Sequence, residues 1–529
     1  MSSALGTTAA TTPTPTATTH NITTKYINTN TNTNNTANTN NAANTTIKPE
    51  YPLVEKQTEV KQQQQQQQDT SPPLQSSSPS SIPPRQWNKT NATIHVCLFM
   101  MDDRIKLAEW IAYHWTVLPI GKLMIGIDPK SKNVRQVRRL LKRWREDPGA
   151  SSSDGNNNTY SPQIDYTFVD NNTYIIWRNP YAGWGFDNNE DAYKFLQKAP
   201  EAKIKNRRHK RNERGFYLYC LRKMMLKVKR ERRRTNGTVP VSRVWLGDTD
   251  EYVIPNYIGP HENPNRYDGH KGMPNQTERI AIIQQERANN LPIRQQLPRF
   301  SQRITIADIL RQTQYDHPNP AFPDCIRFPD LKFTGYETRE SPLDSKLSSK
   351  TITKTNSLDG DAWNYQHLTT LRHRIYAANK DGSFSKAIMN LVSLDSIPDH
   401  FFDTVHTPVR RLCSKWISGV DYMSSIIRFN HYKSGTLESL LERGQNDFRF
   451  QDPIQFFRER NEQLGEIGGE DRDIVGWVEW FIEKVGSMDQ AKRLLFDPLN
   501  ESYSGLDTSN YTDFLNTLYY DANAKSFAS

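Results

Sequence analysis

The residues best suited to chemistry lie between Val241 and Pro255, reading VSRVWLGDTDEYVIP. An apolar run, Val244-Trp245-Leu246, leads into three carboxylates, Asp248, Asp250 and Glu251; Tyr252-Val253-Ile254 then resumes the apolar character. This pattern predicts a buried strand that presents acids. An unpaired buried carboxylate costs roughly several kcal/mol, so such a strand needs a cation or donors beside it. Residues two apart on an extended backbone point to the same side, which predicts that Asp248 and Asp250 face one partner. Two oxygen ligands on one side suit a hard divalent ion, Mn²⁺ or Mg²⁺, which can also hold a substrate diphosphate. The plain alternative is an acidic turn after a strand. Glu251 either orients the ligands from behind them or caps the turn.

The elements that would position these acids can be read upstream. Ile94–Met100 is an apolar run of strand length that ends at Asp102-Asp103. Leu107, Trp110, Ile111, His114 and Val117-Leu118 then recur at helical spacing. Leu123–Ile127 is a second strand ending at Asp128, and a basic amphipathic helix follows from Val134 to Arg145. After a polar insert at 148–161, a third strand, Tyr166–Val169, ends at Asp170. Strand alternating with helix predicts an α/β fold, a mixed, mostly parallel sheet flanked by helices. Ligands of such sheets gather at the carboxyl ends of the strands, where Asp103, Asp128, Asp170 and Asp248 fall.

Further along, a helix at 216–233 carries a basic face, which reads as a solvated face or as a surface for phosphates or polyanions. Residues 256–300 read as a polar surface insert. A short helix begins with Thr305 as N-cap and Asp308 three residues on. Strands are expected at Cys325–Phe333, at Lys386–Leu391 and from Ser424 to Phe429, which runs into His431. A loop is expected at 338–358 and a helix from Trp363 to Ala378. A helical C-terminal region follows 436, with Trp477, Trp480 and Phe481 at helical spacing, as core or as a docking face.

Composition sets the limits. Residues 1–90 are rich in Thr, Asn, Ser and Pro with a Gln run at Gln62–Gln68, and are expected to be disordered. The expected division is therefore a tail or stem at 1–90, an α/β domain at 91–435 and a helical extension at 436–529. The four cysteines are scattered with no CxxC pair, so a zinc site and a disulfide framework are not indicated, while one or two bridges stay open. A net charge of +10 favours acidic partners. No apolar run approaches the roughly 20 residues that span a bilayer, and Met1-Ser2-Ser3-Ala4 opens no signal peptide. Sequons at Asn21, Asn88, Asn171 and elsewhere favour a secretory lumen only weakly in so Asn/Thr-rich a chain.

Several segments resemble one family in order. HVCLFMMDDRIKLAEWIAYHWTVLPIGKLMIGI is similar to the opening of the family-92-type and family-2-like glycosyltransferases, with Glu109-Trp110-Ile111 and Tyr113-His114 in the helix. Met101-Asp102-Asp103 departs from the more usual Arg/Lys-Asn-Glu turn. WLGDTDEYVIP resembles the family's D-x-D metal strand, SKAIMNL its K-S-I strand and FNHYKSGTLESLLERG its closing segment. The resemblance spans about 94 to 445. It implies a GT-A fold and transfer of a sugar, with inversion, from a nucleotide-sugar donor (UDP- or GDP-sugar) to a glycan or glycoprotein acceptor. It implies Mn²⁺ (or Mg²⁺) at Asp248 and Asp250, with His431 as a further ligand. Lys386 would face the diphosphate, and Asp103 and Asp128 the uridine and ribose. An inverting transfer needs a general base, for which Asp361 and Glu337, and then Asp359, are the candidates. The family works in the Golgi lumen or membrane; membrane association would come only through an anchor not present in this chain.

A different class of function stays open. The net charge and the basic run at 203–234 suit a basic polyanion- or nucleic-acid-binding protein. Against it, the aromatics Phe216, Tyr217 and Tyr219 cluster at one end instead of interleaving with the basic residues, so no nucleic acid is expected. The altered turn also leaves room for a catalytically degenerate, transferase-like binding protein.

Overall fold

The computed structural model describes residues 85–89, 93–146, 165–169, 188–236, 243–257, 276–316, 325–336, 368–377, 385–392, 425–433, 452–464 and 467–495, with single positions between 394 and 440. Residues 1–84 of the expected tail, the insert at 148–161, the loop at 338–358, and Asp170, Glu337, Asp359 and Asp361 lie outside the described residues; the end of the expected tail is docked, with Trp87 Nε1 donating to the Gln296 carbonyl at 2.7 Å.

The chain alternates strand and helix through its first half: β1 (Ile94–Met100), α1 (Arg104–Val117), β2 (Ile120–Ile127), α2 (Val134–Glu146) and β3 (Tyr166–Val169). Two helices, α3 (Asn189–Lys198) and α4 (Glu201–Arg234), lead to β4 (Arg243–Gly247) and β5 (Glu251–Pro255). The second half holds α5 (Gln276–Gln295), α6 (Ile306–Asp316), β6 (Cys325–Lys332), α7 (Thr369–Arg372), β7 (Ile375–Ala377), β8 (Ser385–Asn390) and β9 (Ile427–His431). It closes with α8 (Pro453–Leu464), β10 (Ile467–Glu470), α9 (Trp477–Val485) and α10 (Met488–Leu495).

Eight strands form one mixed sheet in the order β3-β2-β1-β4-β8-β6-β9-β5, and β7 and β10 make a separate antiparallel pair. The pairs β1/β2, β1/β4, β2/β3 and β6/β9 are parallel; β8 and β5 run against their neighbours. The protein is thus an α/β protein with helices flanking a mostly parallel sheet. The central strand β1 is buried along its whole length, as a strand covered on both faces must be. Its alternation assigns the faces. Ile94, Val96, Leu98 and Met100 join α1, α2 and the C-terminal helices in one core cluster. Cys97 and Phe99 join Phe216, Leu221 and Met224 of α4 in the other. A disulfide, Cys97–Cys220, ties β1 to α4, and Cys325 is disulfide-bonded as well. The glycine at 126 lets α4 lie close: a Cβ there would meet the Phe216 ring at 2.3 Å.

The sheet has to curl, and the reason is arithmetic. Only residues 248–250 separate β4 from β5, so about 14 Å is the most that stretch can reach. Four strand spacings of a flat sheet would place β4 and β5 roughly 19 Å apart. The curl is made at β6. Its first half, Cys325 to Pro329, pairs with β8, while Asp330 to Lys332 pair with β9. Pro329 sits at the changeover, where a missing N–H is tolerated.

Three expectations are corrected here. Val241–Pro255 is two strands with a turn between them, because Glu251 closes the chain back on Asp248: its N–H donates to the Asp248 carbonyl at 3.2 Å, and its Oε2 accepts the Asp248 N–H at 3.2 Å. Within the expected insert at 256–300 stands the helix α5, followed by the buried Leu297 and Phe300. In place of a helix to Ala378 there is one turn, α7, and then β7, whose Ile375, Tyr376 and Ala377 find partners in β10. The expected cap at Thr305 is present: its hydroxyl accepts the Asp308 N–H at 3.1 Å, and α6 runs on to Asp316. The C-terminal helices are core, not a separate layer. Trp477 lies edge-on to Tyr113 of α1, with ring centroids 5.5 Å apart, and Phe481 packs on Trp115 and Trp144.

Candidate metal centre

Three consecutive side chains in the turn from β4 to β5 leave in three directions. Asp248 accepts a hydrogen bond from Lys386 Nζ at the start of β8 at 2.9 Å, and one from the Tyr217 hydroxyl of α4 at 3.1 Å. The Thr249 hydroxyl donates to Asp103 Oδ2 at 2.7 Å. Asp250 faces His431 at the end of β9, with its Oδ2 3.7 Å from Nε2, and its carbonyl accepts the Tyr432 N–H at 2.8 Å. Asp248 and Asp250 therefore face different partners. The alternation argument needs an extended backbone, and the turn removes it.

Ligand atoms converge at Asp250, Glu251 and His431, where one atom from each lies within 4.8 Å of the others. Two carboxylates and an imidazole suit Mn²⁺ better than Mg²⁺, which prefers oxygen throughout. Asp248 stands apart from this group, held by a protein cation. Lys386 also reaches Glu251 Oε2, at 3.0 Å, and its side chain is only 5% exposed. Burial opposes its charge, but Asp248 and Glu251 outweigh that and raise its pKa.

The surroundings are strongly polar for so buried a place. Burial and the charge of Asp248 lift Glu213 of α4 to about 8, against the opposing pull of His209 and Lys386. Burial likewise lifts Glu251 to about 8, although Lys386 pulls it down. Burial lowers His431, yet hydrogen bonding and charge from Asp250, with help from Asp330, raise it to about 10. Behind His431, Asp330 of β6 lies with Oδ2 3.7 Å from Nδ1.

The strand-end acids sit along the same edge. Asp103 is buried and spent on Thr249. Asp128 accepts from the Lys130 N–H at 2.9 Å and pairs with His209 Nδ1 at 2.8 Å. Burial works against its charge, but His209 and Lys130 more than compensate and lower its pKa. Asp102 has a left-handed backbone, φ 51, which an aspartate tolerates. Its Oδ1 accepts from the Ser131 hydroxyl at 2.8 Å and the Lys132 N–H at 2.7 Å, fixing the entry to α2.

The Glu-Trp-Ile-x-Tyr-His run of α1 does positioning work. Among the described residues β5 pairs only with β9, so its far edge needs partners. Trp110 Nε1 donates to the Glu251 carbonyl at 3.1 Å and the Tyr113 hydroxyl to the Val253 carbonyl at 2.8 Å. His114 Nε2 accepts the Val253 N–H at 3.3 Å, while its Nδ1 is 2.8 Å from the Trp110 carbonyl, which sets Nδ1 as the protonated nitrogen. Three side chains thus replace a neighbouring strand and fix the start of β5, where Glu251 stands. Glu109 points elsewhere, accepting from the Thr369 and Thr370 N–H groups at 2.7 and 2.8 Å, and caps α7.

Of the residues singled out from sequence, the structure brings Asp250 and His431 together, places Asp248 with Lys386, and sets Asp103 beside the same turn. Asp361 and Glu337 lie outside the described residues. Sequence reasoning missed Glu213 and Asp330. The one signal for Asp330 was an acid inside the strand CIRFPDLKF. Glu213 stood hidden among the basic residues of α4. No protein-family model matches this chain, and no curated protein matches it.

Proposed function

We propose that the protein is a metal-dependent glycosyltransferase of GT-A type, which moves a sugar from a nucleotide-sugar donor to a glycan or glycoprotein acceptor with inversion. The observation that carries this reading is the Asp250/Glu251/His431 group at the edge where parallel strands end, with Asp103 and Asp128 along that same edge. When bound there, Mn²⁺ would neutralise charge developing on a leaving diphosphate. Asp250, Glu251 and His431 would hold it. Lys386 balances Asp248 and Glu251 and keeps the turn in place. Asp128, steadied by His209, is positioned to accept from a ribose hydroxyl, and Asp103 fixes the turn through Thr249. Asp361 and Glu337 remain the candidates for the base that takes the acceptor proton.

A lumen of the secretory pathway, Golgi included, suits the reading. Buried disulfides persist in oxidising compartments, and Cys97–Cys220 is one. Among the described residues no helix is long and apolar enough to cross a membrane. Mapping the native protein without reductant checks the compartment: a free thiol at Cys97 argues against the lumen.

The decisive experiment is a screen of UDP- and GDP-sugars for Mn²⁺-dependent turnover, with Asp250→Ala as the variant. The expected outcome is turnover in the parent chain and loss of at least about 100-fold in the variant, since a ligand is removed outright. Full activity in a folded Asp250→Ala protein would sink the proposal.

A further inference from the structure

Asp330 is the least explained charge near the site. It stands in β6, at the start of the half that pairs with β9, opposite Phe429. The residue is 1% exposed, and neither carboxylate oxygen has a hydrogen-bond partner. Its strand neighbours Phe328, Leu331 and Phe333 are core residues. A carboxylate placed so costs roughly several kcal/mol unless something nearby answers its charge. Across the parallel pair, His431 Nδ1 is also buried and without a hydrogen-bond partner, and Asp330 Oδ2 lies 3.7 Å from it. The other ring nitrogen, Nε2, faces Asp250 Oδ2 at 3.7 Å. Asp330, the imidazole and Asp250 thus stand in line, with the two acids on opposite nitrogens.

A histidine that ligates a metal through one nitrogen donates the other N–H, most often to a carboxylate or a carbonyl. That partner fixes which nitrogen carries the proton and which way the ring points. We propose that Asp330 is the positioning residue of the centre, accepting the Nδ1 proton of His431 so that Nε2 is presented to a divalent cation shared with Asp250 and Glu251. The inference rests on the metal centre proposed above and adds a residue that does not touch the ion. Strand geometry makes the assignment specific. Because β6 and β9 are parallel and adjacent, the depth of Asp330 relative to His431 is set by backbone pairing, and Lys332, directly opposite His431, is the register mark.

The test titrates the full chain with Mn²⁺ alone and reads free Mn²⁺ by electron paramagnetic resonance, so no sugar donor is needed. The parent chain is expected to bind one Mn²⁺. Asp330→Asn is expected to weaken binding by about 10- to 100-fold. Circular dichroism without metal checks that the variant is folded. Tight binding by the parent with unchanged affinity in Asp330→Asn would overturn the role of Asp330 and leave the metal centre standing. No binding by the parent would overturn both. Should the variant fail to fold, the parent alone decides: with ¹⁵N-histidine and ¹¹³Cd²⁺, the His431 signal is expected to show cadmium on Nε2 and a proton on Nδ1. Cadmium on Nδ1 would overturn the proposal.

Discussion

At the scale of single residues, the instructive one is Lys386. A lysine that opens a strand reads in sequence as an edge charge or as a hand for phosphate, and nothing in SKAIMNL says that it is enclosed. The structure buries it between Asp248 and Glu251, with Glu213 close enough to feel its charge. Lys386→Met should therefore destabilise the protein by about 3–5 kcal/mol, the usual range when one partner of a buried ion pair is removed. Urea denaturation measures it. The deficit should be larger at pH 9 than at pH 6: Glu213 and Glu251 have folded pKa values raised to about 8, so at the lower pH they are neutral and need the lysine less. The acids of the turn were legible as types and as cation seekers. Their directions were not, because one backbone hydrogen bond decides between strand and turn, and Asp-Thr-Asp serves either.

At the scale of elements, α1 and β5 form one unit. The helical spacing of Trp110, Tyr113 and His114 was plain in the sequence, as was the strand beginning at Glu251. That these side chains complete a strand edge could not be read, since it depends on which of several strands ends up outermost. Tyr113→Phe keeps the ring and removes only the donor to the Val253 carbonyl. Leaving that buried carbonyl unmet should lower stability by about 1–3 kcal/mol. Hydrogen exchange should also quicken at the amides of β5, with little change in β1 or β2. Unchanged exchange in β5 would mean that the strand is held by β9 alone.

At the scale of the whole molecule, buried histidines, His95, His114 and His373 among them, set a pH limit. His114 is held neutral, its pKa lowered to about 3 by burial against the weaker pull of the Trp110 carbonyl. His95 is lowered to about 4 by burial and by the nearby Lys227 and Lys122. The unfolded chain takes up protons at His95 and His114 below the ordinary imidazole value of 6.5, and the folded chain does not. Their contribution to stability is thus complete above pH 6.5 and falls as the pH drops toward 4, by about 1.4 kcal/mol per unit for each histidine, while Glu213 and Glu251, raised to about 8, contribute with the opposite sign. Denaturation series at pH 7, 6 and 5 should show the parent chain losing more stability on acidification than His95→Asn, by about 1.4 kcal/mol per unit below pH 6.5. The first half of the fold was the legible half: β1, β2 and β3 alternate with helices, and parallel order follows from that rhythm. In the second half the strands were legible one by one, but their order was not, because β8, β6 and β9 insert between β4 and β5 from far along the chain.

That insertion carries a consequence for biogenesis. Synthesis runs from the N-terminus at roughly 5–20 residues per second, and early parts of a chain fold while later ones are still being made. Strands β1 to β4 and helix α4, with both cysteines of the Cys97–Cys220 bridge, emerge before any of β6, β8 and β9. A nascent chain can then close its bridge and its parallel layer while β4 still offers an open edge. For roughly 7–28 seconds that edge has no partner, and for slightly longer Asp250 has no His431. Whatever protects a bare strand edge from strangers, a chaperone or simple speed, has to act in that interval, and a cation at the proposed centre could enter only after it ends.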